Sequence, residues 1–316
     1  MSVAETSTRR APKRRSQFAD FFYRLVKEKP LGTIGAAIFL VLLLVGIFAD
    51  LLAPYGFNQL LPGMALKGPS PEHWLGMDNL GRDLLSRIIF GARLSVIVAF
   101  GATSLSIVIS VLIGLTTGYF GGKYDLVMQR FVDAWMAFPG LIVLIVAVSL
   151  IGAGMGQIIV VLGLQFGIAG SRIIRGAVVS TKENVYVQAS RSIGSTNSRT
   201  LYRHILPNIM APIIILFTTR LGAVVLSEAS LSFLGLGIPP PAPSWGGMLS
   251  GSGRTYMFLA PWLAIWPGLA LTIVVYAVNV FGDAMRDLLD PRLRGGLGRY
   301  SGVKISKRIK ERLQES

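Results

Sequence analysis

The chain has 316 residues, of which 52% are hydrophobic and only 15% charged, with a mean hydropathy of +0.58. That balance excludes a soluble globular core and identifies an integral membrane protein. A formal charge of +15 fits anionic lipid headgroups, and the lack of any cysteine excludes disulfides, thiolate metal sites and a cysteine nucleophile.

Taken from the start, residues 1–17 are rich in Ser, Thr and Arg and predict a disordered cytoplasmic tail. Residues 18–30 set Phe18, Phe21, Phe22, Leu25 and Val26 against Arg24, Lys27 and Lys29, the pattern of an amphipathic helix on the inner membrane surface. The apolar run from Leu31 to Ala49 is too long for the core of a signal peptide and predicts a retained first span. Windows of roughly 20 apolar residues place spans near 32–52, 94–118, 134–152, 156–172, 209–231 and 259–282. The predicted fold is therefore an all-α membrane protein with six transmembrane helices. Its parts are a tail with amphipathic helix (1–30), a first span and external loop (31–93), a core (94–282) containing a cytoplasmic loop (173–208), and a tail (283–316).

Charge agrees with that count. Basic clusters precede the first span (Arg9 to Lys29), follow the last (Arg286 to Arg312) and fill the loop between spans four and five, where Arg172, Arg175, Lys182, Arg191, Arg199 and Arg203 lie. With six spans all three fall on one side, which the positive-inside rule makes cytoplasmic. The opposite face keeps Lys67, Arg82, Arg87, Arg93 and Arg254. Basic tails without aromatic interleaving, set against a membrane, argue against a nucleic-acid partner.

In the external loop, Asp78 is a candidate N-cap. Beyond it Leu84, Leu85, Ile88 and Ile89 form one face of an external amphipathic helix, with Arg82, Asp83, Ser86 and Arg87 largely on the other. The run Gly121-Gly122-Lys123-Tyr124 glances at a phosphate-binding loop. It fails because Thr117 stands where the leading glycine is needed and Tyr124 where a hydroxyl would hold magnesium. Glycine pairs four apart, Gly114/Gly118, Gly152/Gly156 and Gly163/Gly167, predict close helix packing.

Between spans four and five, residues 185–208 read as helix, tight turn, helix. Gly194 permits the turn and Pro207 suits the first turn of the next helix. A short surface helix of this kind is shaped to dock a soluble partner. In span five, Arg220 stands about twelve residues, roughly 18 Å, from the inner boundary, and Glu228 lies about 80° further round the same helix. One reading makes their shared face part of a translocation path, with Arg220 attracting a carboxylate; the other makes Arg220 an inter-subunit ion pair or a snorkelling side chain. The outer loop after span five, through Pro239, Pro240, Pro241 and Trp245, predicts a stiff, non-helical segment with Trp245 at the membrane interface. An intramembrane protease is excluded, since His73 and His204 fall in aqueous loops and no span holds two aspartates. A channel finds no filter-like segment or acidic ring.

Four blocks carry a family resemblance. Residues 188–207 resemble the EAA loop of ABC-importer permeases, with Gln188, Ala189 and Ser190 for Glu-Ala-Ala, Gly194 for the glycine, His204 for an isoleucine, and Leu206-Pro207 matching. Leu75-Gly76-Met77-Asp78 through Gly81-Arg82-Asp83 is similar to the leader of C-type permeases of dipeptide and oligopeptide importers, Met77 replacing a threonine. Ser227 to Gly235 and Phe281 to Arg294 resemble the same family, so the likeness spans roughly residues 20–294.

The resemblance implies a non-catalytic permease subunit in the cell's inner membrane, importing dipeptides or oligopeptides by alternating access. It implies pairing with a homologous permease, two ATPase subunits carrying ATP and magnesium, and an extracytoplasmic solute-binding protein. No cofactor is expected on this chain. Gln188, Ala189, Ser190, Arg191, Gly194, Arg199, Leu206 and Pro207 would couple it to the ATPase, with Arg191 and Arg199 either meeting acidic ATPase surface or simply solvated. Asp78, Arg82, Asp83 and Arg87 would face the binding protein. Nickel or oligosaccharide import by the same architecture, or a non-ABC channel or scaffold, are the alternatives.

Overall fold

A computed structural model describes residues 17–289, with side chains from Phe21 onward. The predicted terminal tails, including the Asp290–Arg294 part of the family-like ending, lie outside the described residues. Within them the structure is helical, without strands. The principal helices are α1 (Gln17–Glu28), α2 (Pro30–Ile47), α3 (Leu84–Phe120), α4 (Gly122–Ala137), α5 (Gly140–Ile151), α6 (Met155–Lys182), α7 (Val185–Ser192), α8 (Met210–Phe233) and α9 (Trp262–Leu289).

Helices long and apolar enough to cross a membrane are α2, α3, α6, the continuous run Asn197–Phe233 ending in α8, and α9. The third predicted span, 134–152, is not one helix. It is the bent pair α4 and α5, at 90° to each other. Pro139 causes the break: it holds Phe138 in extended backbone (φ −86°, ψ 140°), because a residue before proline is pushed out of helical space. The 12 residues of α5 reach about 18 Å, so the pair crosses a bilayer only with help from α4. Counting it as one span restores six.

The separate external amphipathic helix is also corrected. Its residues form the head of α3, a single helix of 37 residues, about 55 Å long against roughly 30 Å of hydrocarbon. Asp83, not Asp78, caps it, accepting a hydrogen bond from the Ser86 amide.

Helix α3 packs most extensively on α6. A methyl group added at Gly114 would lie 2.6 Å from the Ser171 carbonyl oxygen, and one at Gly167 would lie 2.8 Å from Ile109 Cβ. Both helices use glycine to let the partner's backbone close in. The Gly152/Gly156 pair does not pack this way: among the described residues, nothing beyond the local backbone lies within 4 Å of a methyl at either position. At one end of the bundle, α5 joins α6, α3 and α8 through Leu144, Val148, Ile158, Val98 and Leu231. At the other, Lys29 pairs with Asp287 of α9, and Leu25 of α1 packs on Ala284 and Leu288. The rest of the predicted apolar face of α1 divides, with Phe22 and Val26 exposed. Arg24 hydrogen-bonds Glu28 along α1 and holds that carboxyl below the usual carboxylate range.

Candidate functional site: the coupling loop and the buried charges

The loop between α6 and α8 is built around one turn. Helix α7 ends in a left-handed residue, Gly194 at φ +85°. The Gly194 amide donates to the Arg191 carbonyl (3.0 Å) and the Ser195 amide to the Ser190 carbonyl (3.1 Å). These two bonds satisfy the last carbonyls of α7 in the Schellman arrangement, which needs glycine at the left-handed position. Thr196 then caps the next helical segment, its hydroxyl accepting from the Arg199 amide at 3.4 Å. The backbone passes through a wide turn at Thr200–Ile205 and a tight one at Leu206–Ile209, with Pro207 in the first turn of the latter, and enters α8. Helix, turn, helix is therefore the observed form.

Burial divides the predicted coupling residues. Of them Ser190 is buried; beside it Val187, not among the predicted set, joins Leu115, Tyr119, Ile174, Val178 and Ile205 in one core. Gln188, Ala189, Arg191, Gly194, Arg199 and Pro207 are exposed, and Leu206 is half-buried. Arg191 is engaged within the chain: its guanidinium lies 4.8 Å from the centre of the Tyr119 ring. Sequence reasoning missed Val185 and Ile193, apolar side chains 81% and 86% exposed at the two ends of α7. Exposed branched aliphatics on an otherwise polar loop were the signal that could have found them.

The charges predicted to share a path-lining face part company. Arg220 is half-buried with its guanidinium 5.2 Å from the Phe166 ring centre on α6. The ion pairs among the described residues do not include it. Glu228 is 2% exposed and accepts a hydrogen bond from the Ser232 hydroxyl at 2.7 Å. It faces the protein interior in this conformation, not open solvent.

The external residues form a sealed ion cluster. Asp78, Arg82, Asp83 and Arg87 are each no more than 9% exposed. One Asp78 oxygen accepts from the Leu80 and Arg82 amides, and the other from Arg82 Nε at 2.6 Å, with Arg87 Nε at 3.6 Å. Arg87 also donates to the Phe57 carbonyl at 3.0 Å. Asp83 accepts from the Ser86 amide and hydroxyl and meets His73 Nδ1 at 3.0 Å. The residues expected to contact an external partner are thus buried in this conformation, their polar atoms engaged by one another, by His73 and Ser86, and by the loop backbone. His73 lies inside this cluster at 3% exposure, not in water. Trp245, expected at the membrane interface, is also buried and donates to the Ile88 carbonyl at 3.1 Å. Together these contacts lock the outer loops onto the head of α3.

A model of binding-protein-dependent transport system inner membrane components matches residues 110–295, which include the coupling loop, α8 and α9. The chain belongs to this family. Residues 16–69 match the N-terminal transmembrane domain of oligopeptide transport permease C. Among curated relatives, the dipeptide transport system permease protein DppC of Alkalihalophilus pseudofirmus is 36% identical over 272 residues, 86% of this chain and 89% of that one. The glutathione transport system permease protein GsiD of Pectobacterium atrosepticum is 37% identical over 282 residues, covering 89% and 93%. GsiD of Escherichia coli is 38% identical over 275 residues, covering 87% and 90%. As a binding-protein-dependent permease the chain is a non-catalytic, multi-pass inner-membrane subunit, with ATP hydrolysis on a separate subunit.

Proposed function

We propose that this chain is the C-type permease of an ATP-driven importer of dipeptides or oligopeptides. It pairs with a homologous permease, two ATPase subunits that hold ATP and magnesium, and an extracytoplasmic solute-binding protein. The substrate class rests on the relatives, whose names specify dipeptide and glutathione, both short peptides. The coupling assignment rests on one observation: an exposed short helix, α7, closed by the left-handed turn at Gly194 and carrying apolar side chains outward.

In this reading both termini, residues 119–133 and residues 173–208 are cytoplasmic. Closure of the ATPases on ATP pushes α7, and the spans rock between inward-open and outward-open states. Val185 and Ile193 give the docking face apolar area that loses water on contact. The arginines flanking the turn divide their roles, Arg199 remaining free to face the ATPase while Arg191 stays on Tyr119.

Gly194→Glu tests the assignment. At φ +85° any side chain costs about 1 kcal/mol of backbone strain. Among the described residues, nothing beyond the glycine's own chain neighbours lies within 4 Å of the added carbon, so the Cβ itself meets open space and a clash is expected from the docked partner. The expected result is normal membrane insertion with weakened ATPase docking, or hydrolysis uncoupled from uptake, in the reconstituted complex. Wild-type rates of both would refute the coupling assignment.

A further inference from the structure

We infer that Tyr119 is a positioning residue for coupling: it latches the cytoplasmic end of α3 to both limbs of the Gly194 turn. The inference rests on the reading of α7 as the ATPase dock and extends it to a helix outside the coupling loop. Tyr119 is the penultimate residue of α3 and is 3% exposed. Its ring lies under the Arg191 guanidinium, which belongs to α7 before the turn. Its hydroxyl donates to Asn197 Oδ1 at 2.9 Å, beyond the turn. One side chain therefore fills the mouth of the turn and holds each limb by a different interaction, cation–π on one side and a hydrogen bond on the other. Beside it, Lys182 at the end of α6 donates to the Gly118 carbonyl at 3.0 Å, so the final turn of α3 is gripped from three places.

The consequence is mechanical. A displacement of the turn either carries Tyr119 with it or leaves a buried hydroxyl without its partner and strips the ring of its cation. The first course keeps every contact. Tyr119 belongs to α3, which is continuous to the opposite end of the bundle. There Arg87, on the same helix, ties to the Asp78 cluster and to the Phe57 carbonyl of the outer loop. The two residues are 32 positions apart, about 48 Å along a helix. Through Tyr119 a push on the coupling loop moves α3 as a rod and reaches the external cap directly, alongside α6 and α8, which continue from the loop covalently.

The cysteine-free chain permits a test that needs no knowledge of the substrate. Phe120→Cys and Ser198→Cys place spin labels on two exposed positions, one at the end of α3 and one beyond the turn. The distance between them is measured by pulsed electron resonance in the assembled complex, without nucleotide and after trapping with ATP and vanadate. A latch predicts the same distance in both states. It further predicts that adding Tyr119→Leu makes the distance nucleotide-dependent, shifting by several ångströms on trapping, while Asn197→Asp, which keeps the acceptor, leaves it constant. A role confined to packing would alter the distance equally in both states. A nucleotide-dependent distance with Tyr119 intact overturns the latch, as does an unchanged, nucleotide-independent distance in Tyr119→Leu. Should Tyr119→Leu fail to assemble, the first comparison still decides. Failure of the coupling assignment is read separately, since it appears as undisturbed ATPase docking in Gly194→Glu.

Discussion

Asp125 of α4 accepts a hydrogen bond from Arg175 Nε of α6 at 2.6 Å, in a region where the residues alone predict only a cytoplasmic loop. A second pair, Asp133 with Arg172, joins the same two helices. The carboxylates are eight positions apart on α4 and the arginines three apart on α6, so the helices cross obliquely and the pairs act as two straps. Leu126, Val127 and Phe131 remain exposed on α4, which leaves the straps as the main polar attachment of this helix to the bundle.

The strap at Asp125 is half-screened, its side chain 15% exposed and that of Arg175 34%. A charge-assisted, two-pronged pair of this kind contributes roughly 1–2 kcal/mol. We expect Asp125→Asn and Arg175→Gln each to lower the melting temperature of the purified subunit by a few degrees, and the double variant to cost no more than either alone. Additive losses would show that the two residues act independently.

Much of the fold is legible in the residues, and the failures have physical causes. Apolar windows locate α2, α3, α6, α8 and α9 because bilayer thickness sets their length. The same windows pass over Pro139, whose effect is local and invisible to an average. Asp78 and Asp83 both stand before a helical pattern, and nothing local distinguishes them as caps. The outcome is set by their partners: Asp78 holds the Leu80 and Arg82 amides and the Arg82 and Arg87 side chains, while Asp83, with one oxygen on His73, caps α3 with the other. The turn at Gly194 is readable since only glycine suits it. The role of Tyr119 is not readable, because its partners lie more than seventy positions away.

Asp78 is therefore predicted to matter for folding more than for partner contact. It is the carboxylate nearest to two buried arginines, and a buried charge deprived of its counterion costs about 3–5 kcal/mol. Asp78→Ala should deplete the subunit from the membrane, as read by immunoblot of membrane fractions. A variant that accumulates normally but fails only to stimulate ATP hydrolysis with the binding protein would instead restore the outward-facing role.

Arg220 has the opposite expectation. It is held by a ring face, worth about 0.5–2 kcal/mol, and not by a buried ion pair whose loss would unfold the helix. We predict that Arg220→Ala preserves assembly, shown by co-purification with the other subunits, and lowers peptide uptake several-fold. Loss of the subunit from the membrane would assign Arg220 a structural role, and unchanged uptake would remove it from the path.

The last prediction concerns whether the bent pair crosses the membrane, since the side occupied by α7 depends on it. Helix α4 begins two residues after α3 ends, next to Lys182 and Tyr119 at the coupling end. Helix α5 packs through Leu144 and Val148 on Val98 and Leu231, which lie toward the end away from Tyr119, Val98 in the first half of α3 and Leu231 near the end of α8. The pair therefore enters at one end and leaves at the other, giving six crossings and placing residues 183–208 on the side of α1. If it instead returned to the side it entered, α6 would run the other way and α7 would face outward, away from any ATPase. Gln59→Cys and Ser198→Cys distinguish the two, both positions being exposed; Ser244 is unsuitable because it is buried. An impermeant maleimide should label Gln59→Cys in intact cells and Ser198→Cys only after permeabilisation. Labelling of both from outside would make the bent pair a re-entrant hairpin and would remove the coupling loop from the cytoplasm.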